Sequence, residues 1–218
     1  MAPESKQPES RCILVLGVHG SGTSAVAGVL HELGVMMGER LVPAAHTSPK
    51  GHFEDLEFRR LLYAYRDNES VLGEIQTFLE DRFARFPLWG LKEPAINEAV
   101  KALAPTLSKH DYRVIATDRD KIACARSYQA KWQKDNIKHA LDYHKQLRRR
   151  QRRFLEQYKP PVLKIKYNAL TDDVEAHVKS IVAFVFEGLA APSAERIERA
   201  VRMVDPSLNH HRERDQEQ

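Results

Sequence analysis

The sequence predicts an α/β fold of three layers, a central parallel sheet flanked by helices, and three observations carry that prediction. Short apolar runs recur with helical sequence between them; the first run ends in glycine and passes directly into an amphipathic segment; and 42% of the 218 residues are hydrophobic against 29% charged. Strands that alternate with helices form a parallel sheet covered on both faces. A chain of this length buries roughly 70% of its unfolded surface, so one core suffices without a metal or disulfide staple. A single domain over 11–212 is expected, with 1–10 as a disordered lead-in and 213–218 as a flexible tail.

The elements follow in chain order. CILVLG, after Arg11, is a continuous apolar run with a glycine stop, the pattern of a central strand buried on both faces. In SAVAGVLHELGV, Val26, Val29, Leu30 and Leu33 recur at helical spacing; Ser21 or Thr23 suits the start and Gly34 the end. Residues 36–55, rich in Gly, Pro and His, read as a long functional loop. Helices are expected from about Leu56 to Tyr65 and from about Ile75 to Phe83, and strands at Leu88 to Lys92, Arg113 to Thr117 and Val162 to Lys166. A basic helix from about Asn136 to Tyr158 turns Ile137, Leu141, Leu147, Phe154 and Leu155 inward and stops at Pro160 and Pro161. Helices at about Asp173 to Glu187 and Ser193 to Val204 complete the chain.

Composition narrows the function. The net charge of +4 suits an anionic ligand without requiring nucleic acid. KQLRRRQRR, residues 145–153, holds six basic residues in nine, but it has no interleaved aromatics for base stacking, so it reads as a solvated helix face or a hold on an anionic acceptor. No apolar run approaches the roughly 20 residues of a membrane span. MAPESKQPES lacks the apolar segment of a signal peptide, and Cys12 and Cys124 are too few for a zinc site. A cytoplasmic protein with buried thiols is expected.

The chemistry gathers in Gly17-Val18-His19-Gly20-Ser21-Gly22-Thr23-Ser24, between a buried strand and a helix. Glycines let backbone N–H groups converge on an anion, and the helix adds its positive end. Gly17, Gly22 and Ser24 fit G-x-x-x-x-G-K-[ST], but Thr23 stands at the lysine position, which disfavours ATP-dependent phosphoryl transfer. Arg119 ends the third strand and Ser127 follows eight positions later, so a planar guanidinium and a hydroxyl two helical turns on can grip one phosphate. The other reading of Arg119 is a surface pair with Asp118 or Asp120. Lys92 and Tyr167 end the second and fourth strands, and ligands of open α/β sheets bind at those ends.

GVHGSGTSAVAGVLHELGV resembles the 5′-phosphosulfate loop of the sulfotransferase superfamily, whose bacterial members commonly read G-x-H-[RK]-S-G-T-S. The likeness runs on through PKGHFED, WGLKEP, RDKIACARS, KYNALTDD and DPSLNHHR, most of residues 12–212. It implies a P-loop fold and transfer of a sulfuryl group from 3′-phosphoadenosine 5′-phosphosulfate to a hydroxyl on a carbohydrate or small metabolite, leaving 3′-phosphoadenosine 5′-phosphate, with no metal. It implies that His19, Gly20, Ser21, Gly22, Thr23 and Ser24 hold the 5′-phosphosulfate, that Arg119 and Ser127 hold the 3′-phosphate, and that Tyr167 lies near the adenine. Lys92 resembles the lysine beside the transferred group. Asn168 and Ala169 depart from the family's acidic pair after the tyrosine, and Gly20 stands where the family carries a basic residue.

Sulfuryl transfer also needs a base for the acceptor's proton. GHFED supplies Glu54 as first choice and His52 as second, with Glu93 as a further candidate. Glu54 and Asp55 equally suit the start of the helix at Leu56 by complementing its dipole. Two other classes stay open: a nucleotide-binding pseudoenzyme, favoured by Gly20, and a kinase-like phosphotransferase, disfavoured by Thr23.

Overall fold

The computed structural model describes residues 10–209 except 47 and 133–135. The expected lead-in, apart from Ser10, the tail and His210, His211 and Arg212 lie outside the described residues. Four strands, β1 (Arg11–Leu16), β2 (Leu88–Lys92), β3 (Asp111–Asp118) and β4 (Val162–Lys166), form one parallel sheet in the order β2-β1-β3-β4. The helices are α1 (Thr23–Leu33), α2 (Leu56–Asp67), α3 (Leu72–Arg85), α4 (Ile96–Leu107), α5 (Lys121–Trp132), α6 (Ile137–Tyr158), α7 (Tyr167–Asp172), α8 (Val174–Val185) and α9 (Ala194–Met203).

The two-residue period of β1 builds both outer layers. Cys12, Leu14 and Leu16 join a core with Phe58 and Leu62 of α2, Ile75 and Leu79 of α3, Val100 and Leu103 of α4, and Phe154 of α6. Ile13 and Val15 point the opposite way, into a second core with Val26, Val29 and Leu30 of α1, Val178 and Ile181 of α8, and Ala200 of α9. All six residues of β1 are buried, as a continuous apolar run in a central strand requires. The result is a three-layer parallel α/β fold. No helix among the described residues is long and apolar enough to cross a membrane.

Several local expectations change. α1 starts at Gly22 with no side-chain cap, because Ser21 is buried and its hydroxyl donates to the Val18 carbonyl (2.7 Å) and meets Thr117 Oγ1 (2.8 Å). β3 runs from Asp111 to Asp118, beyond the expected span at both ends, because it pairs with β1 from Asp111 onward and with β4 as far as Asp118. The buried stripe of α6 is Ala140, His144, Leu147 and Phe154, one side of a 3.6-residue helix, and it leaves Ile137, Leu141 and Leu155 half-buried. Residues 36–55 are a folded strap: Met36 bridges to Trp89 and Leu41 to Asp55, and Phe53, Glu54 and Asp55 are buried.

Candidate functional site

The chain leaves β1 toward β2 on one side and leaves β3 toward β4 on the other, so the crevice between β1 and β3 is the switch point of the sheet. A cavity of about 310 Å³ opens there. It is lined by Gly20, Gly22, Thr23 and Ser24 after β1, by Arg119, Ser127 and Lys131 after β3, and by Tyr167 after β4. His46, Ser48 and Lys50 of the strap also line it, and Lys50 Nζ donates to the carbonyls of Arg202 (2.9 Å) and Met203 (3.1 Å).

The loop is shaped by two left-handed glycines, Gly20 (φ 79°) and Gly22 (φ 91°). At Gly22 the Tyr167 ring occupies the place of a Cβ, so the loop and the fourth strand end meet only through a glycine. Asn97 Nδ2 of α4 holds the Gly17 carbonyl at 2.9 Å and fixes the start of the turn. Because Gly22 supplies no side-chain cap, the first N–H groups of α1, at Thr23, Ser24 and Ala25, stay available where all three residues line the cavity. An uncapped helix start facing a cavity is an arrangement that favours an anion.

Arg119 is not a surface pair. Asp118 pairs with Arg148, and Asp120 caps the Ala123 N–H of α5 at 2.7 Å. Arg119 donates instead to the Gly20 carbonyl (3.0 Å) and to Asn209 Oδ1 (2.6 Å), and its guanidinium lies 5.0 Å from the centre of the Tyr167 ring. The arginine thus joins three strand ends. Ser127 stands against Gly20, and Lys131, one helical turn later, brings a half-buried ammonium whose pKa is lowered by burial and then by Lys92. Sequence reading missed Lys131; its spacing from Ser127 was the available signal.

Lys92, Glu54 and His52 gather beside the cavity rather than in its lining. Lys92 Nζ donates to Glu54 Oε1 (2.6 Å), Ser24 Oγ (3.0 Å) and the His52 carbonyl (3.2 Å), so the Ser24 hydroxyl connects the cluster to the cavity. The two readings of Glu54 and Asp55 divide between them. Asp55 caps α2, accepting from the N–H groups of Glu57 (2.8 Å) and Phe58 (3.0 Å), while Glu54 turns to Lys92 and Arg59 (3.1 Å). Burial works to raise the Glu54 pKa, but Lys92 and Arg59 outweigh it and hold the carboxylate ionised below its ordinary value. His52 Nδ1 lies 4.0 Å from Glu54 Oε1, and burial lowers its pKa. His19 and Ser21 do not line the cavity: His19 turns toward the rings of Tyr128 (5.2 Å) and Tyr143 (6.0 Å), and burial lowers its pKa to about 3.

Glu93 is the second acid of the cluster. Its Oε2 is buried without a hydrogen-bond partner, 3.8 Å from Arg59 Nε, and burial with the neighbouring Glu54 charge raises its pKa to about 7. An unfolded glutamate titrates near 4.3, so between about 4.3 and 7 the folded state binds the proton more firmly. The stability this provides is complete below the unfolded value and is lost as pH rises through about 7. Glu93→Gln is therefore expected to gain about 1–3 kcal/mol relative to the parent between about pH 5 and pH 8. Urea unfolding of both proteins at the two pH values measures the gain; an identical difference at both would show that Glu93 ionises freely.

No protein-family model matches the chain, and no curated protein matches it, so the function rests on the arrangement of these residues.

Proposed function

We propose that the chain is a sulfotransferase that moves a sulfuryl group from 3′-phosphoadenosine 5′-phosphosulfate to a hydroxyl of a carbohydrate or small metabolite. The observation that supports it most is the convergence of two anion holds on one cavity, the uncapped start of α1 and the Arg119–Ser127 pair. A nucleotide with a single phosphate cluster would leave one of them unused. The donor's chemistry fits both: a 5′-phosphosulfate for the N–H groups of Thr23, Ser24 and Ala25 with the Ser24 hydroxyl and Lys131, and a 3′-phosphate for Arg119 and Ser127. Tyr167, half stacked by Arg119, offers an aromatic face toward the nucleoside.

Bound, the donor supplies an activated sulfuryl group for in-line displacement. The chain's own residues do the rest. Lys131 and the α1 N–H groups hold negative charge, and Lys92 keeps Ser24 and Glu54 in register. The acceptor's hydroxyl proton passes to the Glu54 carboxylate, with Glu93 beside it as a buried acid. A second reading, nucleotide binding without transfer, is favoured by Gly20, which offers no cation where the resembling family has one.

Adenosine 3′,5′-bisphosphate is expected to raise the melting temperature well above the shift from AMP, because ligand at 100 times its dissociation constant adds about 2.7 kcal/mol. Arg119→Ala should remove most of that advantage. Equal shifts from the two nucleotides in the parent protein would overturn the two-anion reading. Turnover against an acceptor panel then separates transfer from binding alone.

A further inference from the structure

The basic run of α6 is not a uniformly solvated face. Lys145, Arg148, Arg149 and Arg152 line a second cavity of about 610 Å³ together with Leu141, Asp142 and His144 of the same helix and Lys121 from the start of α5. It shares no lining residue with the cavity at the strand ends.

Three features give this cavity the character of a site. Five cations face a single carboxylate, Asp142, and of these Lys121, Lys145 and Arg149 make no ion pair among the described residues. Lys145 with Arg149, and Arg148 with Arg152, stand one helical turn apart, a like-charge spacing that weakens a helix unless an anion relieves it. The third feature is His144: it is 3% exposed, lines the cavity, and has no hydrogen-bond partner at either ring nitrogen. A buried polar ring without a partner costs free energy that a bound acceptor would return.

We propose that the α5–α6 cavity is a second anion site, which binds a compact polyanion carrying two or more phosphate or sulfate groups. The volume lies within the range of small-molecule sites. Cations on exposed side chains around a concave floor suit clustered charge, and the absence of aromatic lining removes the stacking that single-stranded nucleic acid uses. Arg148 connects the site to the rest of the molecule: its side chain pairs with Asp118 and donates to the Arg119 carbonyl at 2.9 Å, immediately behind the arginine of the strand-end cavity.

The test uses inorganic tripolyphosphate and isothermal titration calorimetry. Three proteins are compared with the parent: Lys145→Ser/Arg149→Ser/Arg152→Ser, which removes the three exposed cations that α6 gives the site; Arg60→Ser/Lys101→Ser/Lys179→Ser, which removes equal charge from exposed positions elsewhere; and Arg119→Ala. The first is expected to weaken binding at the α5–α6 cavity at least about tenfold, the scale of one lost charged hydrogen bond or more, and the second to retain it, while Arg119→Ala loses only what the strand-end cavity takes up. In the parent, tripolyphosphate should also shift the His144 ring resonance, assigned with His144→Phe, and leave that of His31 in place. Equal weakening by both triple variants would reduce the effect to bulk charge, and loss only in Arg119→Ala would place the anion in the strand-end cavity; either overturns the proposal. So would tighter binding of a short single-stranded oligonucleotide than of tripolyphosphate at matched salt, if lost in the same α6 variant. Because the probe and the readouts do not involve sulfuryl transfer, failure here leaves the sulfotransferase reading standing, and the reverse holds.

Discussion

Lys92→Met is expected to lower the free energy of unfolding by about 3 kcal/mol, the lower part of the range for breaking a buried ion pair. Lys92 and Glu54 have only 2% and 6% of their side chains exposed, and they meet at 2.6 Å. Removing the ammonium leaves a carboxylate in a low-dielectric interior, with Arg59 at 3.1 Å as its remaining partner and Glu93 as a like-charged neighbour. Arg59 keeps the cost from reaching the top of the range. Glu54→Gln should restore part of the loss in the double variant, because the uncompensated charge is then gone. Urea denaturation of the parent, both single variants and the double variant provides the cycle. A double variant no more stable than Lys92→Met would mean that Lys92 acts through Ser24 and the His52 carbonyl rather than through Glu54. The same variant should lose transfer far more than its lost stability explains, since Lys92 also orients the Ser24 hydroxyl at the cavity wall.

The sheet was legible because burial on both faces leaves a plain trace. β1 and β2 follow directly from their apolar runs and β4 from the β-branched and apolar residues of VLKIK, and only β3 exceeds its run, through Tyr112 and through Asp111 and Asp118, acids that propensity disfavours in a strand. α7 escaped notice because six residues are too few to show a helical period. The strap is a loop, as its composition says, and only its path was not legible: its single bridges from Met36 to Trp89 and from Leu41 to Asp55 are pairings between distant residues, and Gly- and Pro-rich sequence cannot reveal its own partners.

At the site, positions tied to strand ends were readable and positions set by packing were not. Arg119 and Ser127 announce themselves by spacing, and both line the cavity. Ser21 looks like its loop neighbours in sequence, yet its hydroxyl is consumed by Val18 and Thr117. His144 sits within a run of cations and would pass for another polar surface residue, but the turn of α6 buries it. Glu54 and Asp55 are adjacent acids with interchangeable propensities; only the direction each side chain takes from the bridged strap separates an ion pair from a helix cap.

Gly20→Arg is expected to cost about 2 kcal/mol of stability or more and to weaken adenosine 3′,5′-bisphosphate binding at least about tenfold, rather than to restore a missing cation. Gly20 has a φ of 79°, in the left-handed region, where any L side chain costs roughly 1–2 kcal/mol. Space is also lacking. A Cβ there would stand 2.8 Å from Ser127 Cβ, 2.9 Å from Ser127 Oγ and 3.1 Å from the Cys124 carbonyl, and Ser127 belongs to the proposed second anion hold. The loop must shift to admit any side chain, and since Arg119 donates to the Gly20 carbonyl at 3.0 Å, it would carry the arginine with it. Both proposed anion holds are therefore disturbed by one substitution. Gly20→Ala separates geometry from charge: it should reproduce most of the loss in melting temperature and affinity, because the strain begins at Cβ. If Gly20→Ala is neutral while Gly20→Arg binds the bisphosphate more tightly, the position accepts a side chain and lacks only a cation, and Lys92 and Lys131 do not supply the charge that the resembling family places there.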